Sequence, residues 1–126
     1  MASLSGRRIL VVDDEPLAAF MLERMLKELG CHVPGRTGKA ADAMAIIEID
    51  RRGLDAATVK FTNERSSEVA AALEGRGIPF IVTTRPDAKA VSGQFKDHPV
   101  LVAPFLLQDL ETALCALDMR RQHSTR

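Results

Sequence analysis

The sequence predicts an α/β fold of three layers, in which five parallel strands form one doubly wound sheet between helices. Short β-branched runs alternate with helical patterns along the whole chain, and this alternation is typical of a parallel sheet with crossover helices. The 126 residues, 46% of them hydrophobic, are enough for one domain with a buried core. Because no repeat or linker divides the chain, we expect a single domain at residues 8–121, between short tails at residues 1–7 and 122–126.

The first half of the chain predicts two strand-helix units. The run in RRILVVDDEP is the first strand, and it ends on acidic residues. A helix follows from Pro16 to Leu29, since proline suits a first turn and Gly30 a helix end. Its residues at helical spacing are Leu17, Met21, Met25 and Leu29. CHVPGRT is a weak second strand, and its proline favours a place near the edge of the sheet. The second helix covers about residues 39–52, with Ala40, Met44 and Ile47 on one face.

The second half predicts three more units. Strand three covers Ala56 to Phe61, and Ser66 or Ser67 can cap a third helix that ends near Gly75. IPFIVTT is strand four and PVLVAPF is strand five. A short helix at about residues 87–95 separates them, and a last helix covers about residues 108–121.

Composition excludes several classes of function. The 17 basic and 17 acidic residues cancel, and Trp and Tyr are absent, so neither overall charge nor an aromatic platform favours nucleic-acid binding. No apolar run approaches the ~20 residues of a membrane span, and no signal peptide precedes the first strand. Cys31 and Cys115 lack metal-ligand or redox spacing, so we expect two buried, reduced thiols and a cytoplasmic protein.

Polar residues follow the strands at one edge of the predicted sheet. In parallel sheets, function collects beyond the carboxyl ends of the strands. Here these ends carry Asp13 and Asp14, Lys60 and Thr62, Thr83 and Thr84, and the Ala103-Pro104 pair. The two carboxylates are either a Mg²⁺-type site or a solvated turn before a helix. A dinucleotide site is excluded, because the turn has no glycines and its acids repel phosphate. Lys60 ends a buried strand and needs an anionic partner.

Four segments in order, ILVVDDEP, LDAATVKF, GIPFIVTTRP and PVLVAPF, resemble the receiver domain of bacterial two-component response regulators, the CheY-like (flavodoxin-like) fold. In that family an aspartate at the end of strand three accepts a phosphoryl group from a histidine kinase. The resemblance implies that Asp13 and Asp14 form the acidic Mg²⁺ pocket and that Thr84 is the hydroxyl switch. It also implies that Pro104 follows the position of a lysine in strand five, through a cis peptide bond.

The chain departs from the family pattern at the positions that carry this chemistry. Lys60 stands at the phosphoacceptor position, Ala103 at the lysine position, and Leu101 where many receivers have Tyr or Phe. We expect Lys60 to bridge to Asp13 or Asp14 and to replace the metal, so that the Mg²⁺ site is lost or weakened and no cofactor is needed. Two opposite charges 4 Å apart attract by roughly 4 kcal/mol at an effective dielectric of 20, before desolvation. The alternative is that the ammonium of Lys60 reaches solvent along its apolar stem.

The expected function is a stand-alone, non-enzymatic signalling module that works without ordinary aspartyl phosphorylation, through protein-protein contacts. The partner would be a histidine kinase or another signalling protein, or a second copy bound through the fourth helix, strand five and the last helix. We expect no nucleic acid or membrane partner, and no output domain after Arg121. The alternative is a phosphorelay receiver that is phosphorylated at Asp13 or Asp14.

Overall fold

The computed structural model describes residues 4–50, 53–61, 64–86 and 97–119. Its elements are β1 (Arg8–Val12), α1 (Pro16–Glu28), β2 (His32–Thr37), α2 (Ala40–Ile49), β3 (Ala56–Lys60), α3 (Glu64–Gly75), β4 (Phe80–Thr84), β5 (Val100–Val102) and α4 (Leu107–Ala116). The strands form one parallel sheet in the order β2-β1-β3-β4-β5. The predicted doubly wound α/β fold is confirmed. The short helix predicted at residues 87–95 lies outside the described residues.

The core consists of two apolar clusters on opposite faces of the sheet. Successive residues of a strand point to opposite faces, so Phe80 belongs to one cluster and Ile81 to the other. Helices α2 and α3 cover the first face with Ile47 and Leu73, among others. Helices α1 and α4 cover the second, where Leu26 lies among the buried residues. Because both faces are covered, β3 and β4 are buried along their whole length, which explains why a lysine at the end of β3 is exceptional.

Strand β2 lies at the edge of the sheet, as its proline predicts. Its pairing with β1 is irregular, because Arg8 lies opposite His32 whereas Leu10 lies opposite Gly35. The irregularity therefore falls around Pro34, which has no N–H to donate to a ladder. An edge strand tolerates this loss better than a central strand would.

Only half of the apolar stripe predicted on α1 contacts the core. The buried residues of the helix are Ala19, Leu22 and Leu26. Leu17 and Met21, from the predicted stripe, are 70% and 53% exposed. Met25 and Leu29, from the same stripe, are partly buried and pack against the core cluster.

Three further details of the helices differ from prediction. Helix α3 begins at Glu64, so Ser66 lies inside it, and its hydroxyl donates to the carbonyl of Lys60 at 3.1 Å instead of capping the helix. Met44 is exposed, and the inner face of α2 is built on Ala43 and Ile47. Helix α4 ends before residue 121, because Leu117 has the extended angles φ −75° and ψ 145°.

The chain ends and thiols add smaller findings. Leu4, in the segment predicted as a tail, is buried in the core against α1 and α4, and the N–H of Gly6 donates to the carbonyl of Gly30 at 2.8 Å. Both cysteines are free, but Cys115 is exposed and only Cys31 is buried as predicted. Within the described ranges, every helix is too short or too polar to cross a membrane.

Candidate functional site

The sheet topology gathers the predicted site residues at one edge. Strands β1, β3, β4 and β5 are adjacent and parallel, so their carboxyl ends lie side by side. Lys60 is the last residue of β3 and pairs with Thr83 of β4 in register. Asp13 follows β1 directly, and Ala103 follows β5, where its N–H donates to the carbonyl of Thr84 at 2.8 Å. The Ala103-Pro104 peptide bond is cis, as the family resemblance implies.

The ammonium of Lys60 lies among three carboxylates of the turn between β1 and α1. Its Nζ atom is 3.0 Å from Glu15 Oε1, 3.2 Å from Asp14 Oδ1 and 3.8 Å from Asp13 Oδ1. The lysine side chain is only 8% exposed, so it does not reach open solvent along its stem. The predicted ion pair with the acidic pair is present, and Glu15 is a third partner that the sequence analysis did not name.

Two local features hold the acidic turn in place. The N–H of Glu15 donates to Asp13 Oδ1 at 2.9 Å, and the N–H of Asp13 donates to the carbonyl of Thr37 at 2.9 Å. Gly38 lies against the turn so closely that a Cβ atom there would be 2.9 Å from the Cα of Asp14 and 3.0 Å from the carbonyl oxygen of Asp13. Any side chain at position 38 would therefore push the turn away.

Glu15 links the lysine to the next strand as well. Its second oxygen, Oε2, lies 3.6 Å from a guanidinium nitrogen of Arg85, the residue that follows β4. Glu15 is the residue before Pro16, the first residue of α1, and its side chain makes no capping hydrogen bond to the helix. The sequence feature that could have indicated this role is the position of Glu15 in the acidic run DDEP. A residue directly before a helix is, however, ordinarily interpreted as a helix cap.

Burial and ion pairing act in opposite directions on Lys60. Loss of solvent lowers its pKa, but the hydrogen bonds to Glu15 and Asp14 outweigh this, so the pKa lies above its ordinary value of 10.5. Burial also raises the pKa of Asp13 above its ordinary value of 3.8, although the N–H of Glu15 and the charge of Lys60 act against this. The lysine is therefore a fixed cation, and burial leaves Asp13 less acidic than an ordinary aspartate.

The residues present do not fit the Mg²⁺ ion that the family resemblance implies. Mg²⁺ needs a nearly octahedral shell of oxygen ligands. The ammonium of Lys60 lies between the three carboxylates that would supply such ligands, and its charge repels a second cation. In the described part of the chain, no group of three or more His, Cys, Asp or Glu side chains is arranged to hold a metal ion.

A cleft of about 210 Å³ opens beside the lysine, between α1 and the ends of β4 and β5. Its walls include Met21, Met25, Thr83, Thr84, Ala103 and Phe105. Both threonine side chains are buried, and neither hydroxyl has a hydrogen-bond partner among the described residues. Leu101, at the position where many receivers carry an aromatic residue, packs against the core cluster under α1 and α4. Thr83 and Thr84, both predicted at the end of strand four, line this cleft together with Lys60 and Asp13, whereas Thr62, predicted at the end of strand three, lies outside the described residues.

Comparison with known proteins supports the fold and the family. No family model matches the chain. The solution structure of the BeF₃-activated conformation of SdrG, from Pseudomonas melonis Fr1, is 39% identical, with a TM-score of 0.73 over 91% of this chain and 97% of that one. A solution structure of SdrG from Sphingomonas melonis Fr1 is 33% identical over 90% of this chain and 97% of that one, also at a TM-score of 0.73.

Two more distant relatives extend this likeness. A crystal structure of a response regulator receiver protein from Burkholderia phymatum has the same fold, with a TM-score of 0.74 at 20% identity, over 87% of this chain and 93% of that one. The transcriptional regulatory protein PdtaR of Mycobacterium tuberculosis is 28% identical over 112 residues, which are 86% of this chain and 55% of PdtaR. The chain thus spans about half the length of this curated relative. On its fold, the geometry of its strand ends and these relatives, the chain belongs to the receiver-domain family of response regulators.

Proposed function

We propose that this receiver module signals without aspartyl phosphorylation and that Lys60 supplies the positive charge that other receivers obtain from Mg²⁺. One observation carries the proposal: the ammonium lies within 3.0 to 3.8 Å of all three carboxylates of the β1-α1 turn. An ammonium cannot form an acyl phosphate. Ala103, at the end of β5, has no side-chain nitrogen to contact a phosphoryl oxygen.

Phosphorylation at Asp13 or Asp14 is the alternative, and the geometry disfavours it. Asp13 is buried, and its Oδ1 atom already accepts the N–H of Glu15. Asp14 is more exposed, but its Oδ1 atom lies 3.2 Å from Lys60. A phosphoryl group on either residue would stand next to the other carboxylate and to Glu15, which repel it.

The output of the module would be a protein-protein contact, made in the cytoplasm and without enzymatic activity. Exposed apolar residues around β5 and the start of α4 support this, since Val102 is 49% and Leu106 is 67% exposed. A histidine kinase, another signalling protein or a second copy of the chain would bind there. Sedimentation velocity across a concentration series separates the second copy from the other partners.

Two measurements on the wild type test the proposal. Incubation with acetyl phosphate and Mg²⁺, followed by intact mass spectrometry, should give no stable adduct. In a calorimetric titration, the wild type should not bind Mg²⁺ in the millimolar range, whereas Lys60→Ala should, because the carboxylates then lack their cation. A wild-type adduct of one phosphoryl group, or clear millimolar Mg²⁺ binding by the wild type, would overturn the proposal.

A further inference from the structure

We propose that the cleft between α1 and the carboxyl ends of β4 and β5 binds a small uncharged amphipathic molecule, with a ring-sized apolar body and a hydroxyl or amide head group. The proposal rests on the size of the cleft, its apolar wall, its two buried hydroxyls and its balanced charges. It does not depend on whether the module can be phosphorylated.

The size of the cleft limits the ligand to about one ring. Its volume is about 210 Å³. An engineered protein cavity of about 150 Å³ binds benzene, and sites for drug-sized ligands begin at about 300 Å³. The cleft therefore fits a single ring with one short polar substituent.

The wall that faces this ring is apolar and adaptable. Met21 and Met25 of α1 line it, together with Pro104 and Phe105 from the segment after β5. Methionine side chains adjust to irregular shapes and make favourable contacts with aromatic rings. Met21 is 53% exposed, whereas Met25 and Phe105 also pack against the core cluster, so the wall joins the core to the open side of the cleft.

Two threonines that line the cleft carry hydroxyl groups without partners. Thr83 and Thr84 are 5% and 7% exposed, and neither Oγ1 atom has a hydrogen-bond partner in the described part of the chain. A buried hydroxyl without a partner destabilises a protein, and most buried polar side-chain atoms have one. A ligand hydroxyl or amide that reaches one of these threonines can donate to its Oγ1 atom or accept from its O–H group.

The charges around the cleft favour a head group without charge. Two carboxylates, Asp13 and Glu15, and two cations, Lys60 and Arg85, line it, so their formal charges cancel. They are also paired with one another, since Glu15 lies 3.0 Å from Lys60 and 3.6 Å from Arg85. A charged ligand would have to break one of these pairs, whereas an alcohol or amide would not.

The alanine at position 103 leaves the cleft open. Ala103 lines it, at the position where the family resemblance places a lysine. A longer side chain there would extend into the space that the ring needs. Position 103 therefore provides a direct way to close the site.

Three probes of nearly equal size test the chemistry of the site. Methyl NMR spectra of the wild type, labelled at Met and Thr, are recorded during titration with benzyl alcohol, toluene or benzoate. We expect saturable shifts of Met21, Met25, Thr83 and Thr84 with benzyl alcohol, and binding about fivefold weaker for toluene, which lacks the hydroxyl. Equal binding of toluene, tighter binding of benzoate, or no saturable shifts with benzyl alcohol would each overturn the proposal.

Variants then locate the binding. Ala103→Leu should abolish the shifts, while Ala116→Leu, on an exposed position of α4, should leave them unchanged. Thr83→Val and Thr84→Val each replace one of the two threonine hydroxyls with a methyl group, and at least one of the two variants should bind benzyl alcohol about fivefold more weakly with no change in toluene binding. Thermal unfolding curves show which variants are folded, and the proposal requires the effect in at least one folded threonine variant. Unchanged binding in folded Ala103→Leu would place the ligand elsewhere and overturn the assignment.

Discussion

At the residue scale, Lys60 shows how a charge is held at the end of a buried strand. The strand leaves the side chain 8% exposed, and three carboxylates meet its ammonium. The partners differ in their own surroundings, because the side chain of Asp13 is 7% exposed whereas those of Asp14 and Glu15 are 53% and 52% exposed. The lysine therefore pairs with one buried carboxylate and with two that water also stabilises. We expect the three ion pairs to contribute unequally to the free energy of unfolding.

Replacing Lys60 with methionine tests the contribution of the ammonium, since methionine keeps much of the apolar stem. We expect the free energy of unfolding at neutral pH to fall by about 1–3 kcal/mol, because three carboxylates lose their shared partner. Lys39→Met, on an exposed loop residue, is the matched control and should change stability by less than about 0.5 kcal/mol.

The difference in the free energy of unfolding between wild type and Lys60→Met should depend on pH in a defined way. The pKa of Lys60 is raised in the folded state. Its stabilisation is therefore fully present below the unfolded pKa of about 10.4 and is lost as the pH rises through the folded pKa. In urea unfolding, the difference between wild type and Lys60→Met should stay constant between about pH 7 and 9 and narrow above about 10.4. A difference that vanishes by about pH 9 would contradict this assignment.

Asp13→Asn should raise the free energy of unfolding, whereas Lys60→Met should lower it. The pKa of Asp13 is raised by burial, so its contribution to stability is present below the unfolded pKa of about 3.9 and is lost as the pH rises through the folded pKa. Asparagine keeps the oxygen that accepts the N–H of Glu15 and removes the buried charge. We expect the free energy of unfolding at neutral pH to rise by about 0.5–1 kcal/mol.

The control for Asp13→Asn is the same change one residue later. Asp14 is 53% exposed and lies 3.2 Å from Lys60, so Asp14→Asn removes an attraction without relieving a burial cost. It should lower stability by up to about 0.5 kcal/mol. Urea unfolding of both variants measures these changes. A loss of stability in Asp13→Asn would show that the buried carboxylate stabilises the folded protein.

At the element scale, the turn between β1 and α1 is positioned by the loop that follows β2. Gly38 allows this contact, since its backbone approaches Asp13 and Asp14 more closely than a Cβ atom would permit. The irregular pairing of β2 with β1 around Pro34 lies further back along the same strand. The edge strand β2 thus helps to position the carboxylates of the β1-α1 turn, which pair with Lys60 at the end of the central strand β3.

Gly38→Ala should disturb this arrangement. The new methyl group would lie 2.9 Å from the Cα atom of Asp14, and backbone cannot move as cheaply as the end of a side chain. We expect a loss of about 1–3 kcal/mol in the free energy of unfolding, with shifted amide resonances at Asp13 to Glu15. Gly75→Ala is the control, because a Cβ atom there meets nothing within 4 Å, and it should be neutral or slightly stabilising. Equal effects of the two substitutions would show that the close approach at Gly38 does not matter.

At the scale of the whole molecule, the chain has the fold of a receiver domain, and the proposed function depends on two of its strand-end residues. The sheet order, the cis bond before Pro104 and the acidic turn after β1 are all present. In our proposal, Lys60 and Ala103 occupy the two positions that form and contact an acyl phosphate in phosphorylated receivers. The scaffold should therefore support the ordinary chemistry once these two side chains are changed.

The double variant Lys60→Asp, Ala103→Lys tests this. We expect it to accept one phosphoryl group from acetyl phosphate in the presence of Mg²⁺, as measured by intact mass, because Asp13, Asp14 and Thr84 already surround the new carboxylate. Each single variant should remain unmodified or react far more slowly. Failure of the folded double variant to react would show that the surrounding geometry has also changed.

A comparison of binding partners completes this experiment. Wild type and double variant are each used to capture proteins from the same source, and the captured sets are compared. If the ion pairs of Lys60 control the output, the two sets should differ when the variant is phosphorylated. Equal capture in every state would show that the pocket does not control binding.

The sequence by itself determined the fold and the identity of the unusual residue. Alternating strand and helix patterns are local properties of the chain, and the rule that parallel strands are joined by right-handed crossovers converts them into one sheet. The buried character of Ala56 to Val59 identified Lys60 as a charge that needs a partner, and the acids after β1 were the nearest candidates. These inferences hold because they depend on residue type and order, not on distances.

Only the tertiary structure decided which atoms meet. Helix α1 buries Ala19 and turns Met21 toward the cleft, a rotation of the helix that its own spacing does not specify. Glu15 rather than Asp13 is the closest partner of Lys60, and the unpartnered hydroxyl of Thr83 lies at the same cleft. These facts depend on how far one element stands from the next. Such distances are set by the packing of side chains from all layers at once, and no single segment of the sequence contains them.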